Sequence, residues 1–281
     1  MSSPPIQWYP GHIAKAERNL VEQLKKVDVV LEVRDARIPL ATRHPQVEQW
    51  IGNKGRVLVL NRLDMIPPAA QQSWLNWFRD QDETPYLTNA NHGQGVPAVA
   101  KAAQAAGAQI NQRRRDRGML PRPIRAVVIG FPNVGKSALI NRLLNKRVVE
   151  SARRPGVTRQ LRWVRISDEL DLLDAPGVLP SRLTDQQAAL KLAICDDIGD
   201  AAYDTQRVAA GFIDLLKQVT SDFRSLSSRY SLDPSPLTGE SYLEALAETK
   251  YQGDLERAAR QLLNDFRKGN LGPIALELPP Q

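Results

Sequence analysis

Hydrophobic positions along this chain change period several times, and each change marks an element. Ile13, Ala16, Leu20, Leu24 and Val27 recur at helical spacing after the breaker Pro10-Gly11 and predict an amphipathic opening helix. The runs VDVVLEV (27–33) and RVLVLN (56–61) are short, β-branched and nearly continuous in apolar residues. That pattern predicts strands covered on both faces, as in a parallel sheet. A helix is predicted from about Ala69 to Arg79, then a weaker strand TPYLTNA (84–90) and an Ala-rich helix near 96–109. AVVIGF (126–131) predicts a strand that runs into a helix, SALINRLLNK, and LRWVRIS and LDLLDAPG predict two more strands. This alternation predicts an α/β fold with a doubly wound, mostly parallel sheet.

Beyond about Pro180 the period becomes helical throughout. Val208, Phe212, Leu215, Leu216 and Val219 form one apolar stripe, and Leu255, Ala258, Ala259, Leu262, Leu263 and Phe266 form another. The chain is therefore expected to divide into a nucleotide-binding domain over 1–180 and a small all-α domain over 181–281. Between the two halves of the sheet lies QRRRDRGMLPRPIR (112–125), which is basic, broken by glycine and proline, and expected to be an exposed connector.

Charge sharpens this division. Residues 1–180 hold 27 Lys+Arg against 16 Asp+Glu, whereas residues 181–281 hold 11 against 15. The asymmetry favours a polyanionic partner, such as nucleic acid, docking mainly on the first part. No apolar run reaches the roughly 18 residues of a membrane span, and the N-terminus shows no secretory pattern. A single cysteine, Cys195, excludes an internal disulfide, and no disulfide-linked partner is expected. Together these features point to a cytosolic protein.

Candidate chemistry begins at GFPNVGKS, which fits G-x-x-x-x-G-K-[ST] at Gly130, Gly135, Lys136 and Ser137. Backbone amides from Asn133 and Val134 through Gly135 to Ala138 would cradle phosphates. Lys136 would contact the β- and γ-phosphates and the Ser137 hydroxyl would ligate Mg²⁺. Downstream, LLDAPG supplies Asp174 for Mg²⁺ and the Gly177 amide for the γ-phosphate, and Thr158 of RRPGVTRQ falls where a phosphate-sensing threonine would sit, its hydroxyl on Mg²⁺. A loop threonine without a ligand explains Thr158 nearly as well.

The base reader lies upstream, in VLVLNRLD. Asn61 and Asp64 have the spacing of Asn-x-x-Asp, with Arg62 where lysine is usual. One carboxylate accepts both N1–H and the exocyclic amine of guanine, whereas adenine would leave it unpaired, so Asp64 selects guanine. Asn89 and Ala90 of TNANHGQG resemble the loop whose backbone N–H, here that of Ala90, reads the guanine carbonyl.

The order is thus base reader, base loop, phosphate loop, switch and Mg²⁺ loop, as in a circularly permuted P-loop GTPase. With IQWYPGHIAKA at 6–16, DARIPL at 35–40 and the helical tail, the chain resembles the YlqF/RbgA family of permuted GTPases over nearly its whole length. The resemblance implies hydrolysis of GTP to GDP and assistance in assembly of the large ribosomal subunit, with precursor particle and rRNA as partners. It also assigns a catalytic role to His12, whose other reading is a cap on the first helix. Val178 occupies the position at which many GTPases carry a water-orienting glutamine, so turnover is expected to be slow or assisted. Asn133 matches the pattern of K⁺-stimulated GTPases, with a turn asparagine as the equal alternative.

Asp35 and Arg37 are expected to be scaffolding. Seven basic residues and one acid in 146–165 suggest a cationic loop ordered by GTP. The rival to a hydrolase is an RNA-docking module that holds GTP structurally; a P-loop ATPase or kinase is disfavoured by Asp64.

Overall fold

The structure, a computed structural model of the 281-residue chain, describes residues 6, 20–144, 162–174 and 185–280. Six strands among these residues form one sheet: β1 (Val29–Asp35), β2 (Gly55–Asn61), β3 (Tyr86–Thr88), β4 (Ile124–Ile129), β5 (Arg162–Ser167) and β6 (Leu170–Asp174). Their order is β3-β2-β1-β4-β6-β5, all parallel except β5, which pairs antiparallel with β6 at the edge. The chain runs outward from β1 through β2 to β3, then returns to the other side of β1 for β4. That reversal makes the C-terminal edge beside β1 a topological switch point, where open α/β sheets bind ligands.

Alternation along the strands distributes the core. Val29, Leu31 and Val33 of β1, Val57 and Val59 of β2 and Ala126 and Val128 of β4 face α4 (Val96–Asp116) and α5 (Lys136–Leu143). On the opposite face, Val30, Val127 and Ile129 pack with Leu20 and Leu24 of a helical stretch at 20–24 (α1) and with Val47, Trp50 and Ile51 of α2 (Val47–Ile51). Leu58 and Leu60 on that face meet Trp74 and Phe78 of α3 (Pro68–Asp80).

From Gln186 onward all described elements are helical: α6 (Gln186–Ile194), α7 (Thr205–Val219), α8 (Arg224–Tyr230), α9 (Gly239–Tyr251) and α10 (Leu255–Arg267). The two stripes anticipated from spacing are the buried faces of α7 and α10, where Phe212 and Phe266 meet with ring centroids 4.9 Å apart. Asp185, Asp204, Thr238 and Asp254 cap four of these helices by accepting backbone N–H bonds. The apolar core runs without a break from the α4 face of the sheet into this helical region.

Two expectations need correction. The arginine run is not a connector, because α4 continues to Asp116 and carries Arg113, Arg114 and Arg115 in its last turn. Arginine is a good helix former and complements the C-terminal end of the helix dipole; only 117–123 is left to join α4 to β4. The strand expected over 84–90 is confined to Tyr86–Thr88.

Candidate functional site

Parallel pairing brings the ends of β1, β2, β3, β4 and β6 to one edge, and with them Asp35, Asn61, Thr88, the loop that starts at Gly130, and Asp174. Asn61 is the centre of this edge. Its Nδ2 donates to the carbonyl of Val134 at 2.9 Å, and its Oδ1 accepts from Thr88 Oγ1 and from the Ala90 N–H, both at 3.0 Å. The side chain is buried, so each of these bonds satisfies an atom that water cannot reach. Base reader, base loop and phosphate loop therefore meet at one amide, although the phosphate loop follows the other two in the chain. The Ala90 N–H, expected to face a guanine carbonyl, is already bonded to Asn61, so the base would have to share or take over that proton.

Glycines in the phosphate loop are required by contact. Gly135 sits at φ +99°, and a Cβ there would lie 2.1 Å from Asn61 Nδ2. Gly130 sits at φ +149°, where a Cβ would lie 2.2 Å from the Val33 carbonyl. Both exclude any side chain. Lys136 opens α5 and is buried, its Nζ 3.2 Å from the Gly130 carbonyl and 2.7 Å from that of Phe131. Ser137 and Ala138 follow it, half-buried, in the first turn. This turn points backbone N–H groups at the edge where phosphates would lie.

Arg62 takes up a left-handed conformation at φ 68° and braces the phosphate loop. Its Nη2 donates to the Asn133 carbonyl at 2.6 Å, while Nε lies 3.3 Å from Asp35 Oδ2. The guanidinium fork reaches both groups at once, which a lysine ammonium on one stem would not do in the same geometry. Asp35 is in turn held by Arg37, with Nε to Oδ1 at 3.0 Å and Nη2 to Oδ2 at 2.6 Å. Both residues are fully buried, in keeping with a scaffolding role. Burial alone would raise the Asp35 carboxyl, but Arg37 and then Arg62 hold it below the usual carboxylate range.

Asp64 lies in a short 3-10 turn, Leu63–Met65, directly after the strand end. It is exposed and makes no hydrogen bond or ion pair among the described residues, which leaves both oxygens available to a base. Asn89 is buried, and its Oδ1 accepts from the His92 N–H at 3.2 Å within the base loop. Asp174 ends β6 beside Val128 of β4, one strand from the phosphate loop. His12, Thr158, Gly177 and Val178, with 146–161 of the basic stretch, lie outside the described residues.

The helical region contributes contacts that spacing did not reveal. Asn133, at φ 59°, donates from Nδ2 to the Asp196 carbonyl at 2.6 Å. Arg37 Nη2 donates to the Cys195 carbonyl at 3.1 Å. Beside them Asp197 is fully buried, and neither of its oxygens has a hydrogen-bond partner among the described residues. Burial, then the negative charge of Asp35, pushes its carboxyl well above the ordinary range. The same burial raises the Cys195 thiol. The one signal for this corner was the CDD triplet, an acidic pair inside an apolar stretch.

Known proteins resemble this chain over nearly its whole length. The sequence profile described as 50S ribosome-binding GTPase matches residues 125–222, starting at the strand that leads into the phosphate loop. Ribosome biogenesis GTPase A of Bacillus cereus is 34% identical over 282 residues, covering 98% of this chain and 95% of its own. The chain belongs to the ribosome biogenesis GTPase A family. A more distant member from Thermotoga maritima is 26% identical over 98% of this chain and 95% of its own. The solved structures of T. maritima YlqF share the fold. The GDP-bound form has a TM-score of 0.64 at 23% identity, covering 93% of this chain and 99% of its own. The GNP-bound form has a TM-score of 0.65 at 23% identity, covering 95% and 99%. Among the described residues no helix is long and apolar enough to cross a membrane.

Proposed function

We propose that this chain is a cytoplasmic GTP hydrolase that assists assembly of the large ribosomal subunit, docking on the rRNA of the precursor particle with GTP bound and leaving after hydrolysis. The observation that carries this reading is Asn61, whose side chain joins the base reader to the phosphate loop by a 2.9 Å bond to Val134. Membership of a GTPase family favours turnover over the rival of a structural nucleotide.

In this reading Asp64 accepts from the guanine N1–H and amine. Lys136 and the amides of Asn133 to Ala138 hold the phosphates, and the Gly177 amide meets the γ-phosphate. The position of Ser137 in the first turn of α5, next to the end of β6, fits a Mg²⁺ site completed by Asp174 and Thr158. Held there, Mg²⁺ would supply positive charge against the phosphate oxygens. With Asn133 Nδ2 on Asp196, its Oδ1 remains able to ligate K⁺. The Val178 side chain cannot hydrogen-bond water, so His12 is assigned to orient it. We assign nucleotide chemistry to 1–180, and treat 181–281 as the helical part that reports its state.

The test is GTP turnover in KCl and Mg²⁺, with and without large ribosomal subunits, for the wild type and His12→Ala. Stimulation of about 100-fold or more, lost in the variant, is expected for a positioned general base. Tight GTP binding with no stimulation would overturn the hydrolase reading in favour of a docking module.

A further inference from the structure

The base reader is held from behind by the far end of the chain. After α10 the backbone crosses the reader side of the sheet edge, and the Ile274 N–H donates to the Met65 carbonyl at 2.8 Å. Met65 closes the 3-10 turn that carries Asp64. Two residues on, the N–H groups of Leu276 and Glu277 both donate to the Arg37 carbonyl, at 3.0 and 3.1 Å. Arg37 leads through Asp35 and Arg62 to the Asn133 carbonyl of the phosphate loop.

Glu277 latches this segment. It is buried, and its Oε2 accepts from the Leu40 N–H at 2.7 Å. Oε1 accepts from the Ala41 N–H at 3.2 Å and from Lys191 Nζ at 3.0 Å. Lys191 belongs to α6, so one carboxylate joins the C-terminal segment, the DARIPL loop and the helical region. Gln71 Nε2 of α3 also donates to the carbonyls of Leu63 and Ile66, at 2.9 and 3.1 Å. The turn is thus gripped through its backbone by two separate elements, α3 and the C-terminal segment.

Asp64 itself has no side-chain partner among the described residues, so the backbone of its turn decides where its carboxylate meets a base. We propose that residues 274–277 are a positioning strap for guanine recognition, with Glu277 as its latch, so that seating of the helical region and guanine affinity are thermodynamically linked. This rests on the reading of Asp64 as the guanine reader. A site of this kind must hold its geometry to within about 0.5 Å. A shift of the turn weakens the paired bonds to N1–H and the 2-amino group while leaving the phosphate contacts of Lys136 in place. Linkage is reciprocal, so bound guanine nucleotide must also tighten the strap. The bland alternative is a tail that merely covers apolar surface, since Leu276 is buried in the main core and Ala275 lies against the Trp74 cluster.

The experiment compares full-length wild type, Glu277→Ala and Glu277→Gln for affinity toward GDP and IDP, which lacks the 2-amino group. Glu277→Ala is expected to weaken GDP about tenfold, less than the ~100-fold that a displacement of about 1 Å can cost. The GDP-to-IDP preference should shrink with it. Glu277→Gln, whose amide oxygen still accepts from the loop, should recover much of both. Equal losses for the two nucleotides, or unchanged affinities with a lowered Tm, would reduce the strap to a core cover and overturn the proposal. If Glu277→Ala does not fold, amide exchange in the wild type decides. The N–H groups of Ile274, Leu276 and Glu277 should exchange more slowly with GDP bound, and unchanged rates would overturn the strap. A wild type that binds GDP and IDP equally would instead overturn the reader assignment, and the strap with it.

Discussion

The two halves of the candidate nucleotide site are built differently. The phosphate side is local: within eight residues, Gly130 and Gly135 allow the backbone to curl and Lys136 bonds the loop's own carbonyls. The base side is assembled across the chain. Asn61 reaches Val134 and Ala90, Arg62 reaches Asn133 and Asp35, and the turn behind Asp64 is held by Gln71 and Ile274. The two halves join through two side-chain-to-carbonyl bonds, Asn61 to Val134 and Arg62 to Asn133. That junction is spatial, so it survives a chain in which the base reader comes first. Permutation changes which loops connect the strands, and the switch-point edge beside β1 stays in place.

Gly135 is where the halves touch most closely, and Gly135→Ala should have the largest effect on that junction. The new Cβ would have to displace Asn61 Nδ2 from 2.1 Å at a φ that disfavours side chains, costing at least about 2 kcal/mol of stability. GTP and GDP affinity should fall by roughly 100-fold, following a displacement of about 1 Å. Calorimetry and thermal unfolding would check both, and a variant with wild-type affinity would mean that the halves are not in contact.

Arg62→Lys should act more gently and on the brace alone. An ammonium can keep the Asn133 carbonyl or Asp35 but not both, and one lost bond of about 1 kcal/mol corresponds to roughly fivefold weaker nucleotide binding. Selectivity for guanine should survive, because Asp64 is untouched. Unchanged affinity would show that one arm of the fork suffices.

Legibility in the sequence followed the same division. Gly130 to Ser137 and Asn61 to Asp64 stand out as candidates because their residues are close in sequence and their spacing reflects one strand end and one turn. The sheet was readable from continuous apolar runs. The contacts from Asp196 to Asn133, Cys195 to Arg37 and Glu277 to Leu40 span 63, 158 and 237 residues. One atom of each pair is a backbone carbonyl or amide, which carries no residue code, so no pattern announces the contact. The end of α4 was misread for another reason. A run of arginines looks like a solvated connector, yet it continues a helix readily until Gly118 and Pro121 stop it. At five residues, α2 is too short to show a period.

The central claim, that Asp64 ahead of the phosphate loop reads the guanine base of a nucleotide bound behind it, is tested most directly by exchanging its carboxylate for an amide. Asp64→Asn offers one donor and one acceptor where the carboxylate offered two acceptors, which suits the N1–H and O2 of xanthine and leaves the guanine amine unpaired. Titration of wild type and variant with GDP and XDP should show GDP affinity falling about 100-fold and XDP binding becoming the stronger of the two. Unchanged preference for GDP would mean that guanine is read elsewhere in the chain, and that the early Asn-x-x-Asp is coincidence.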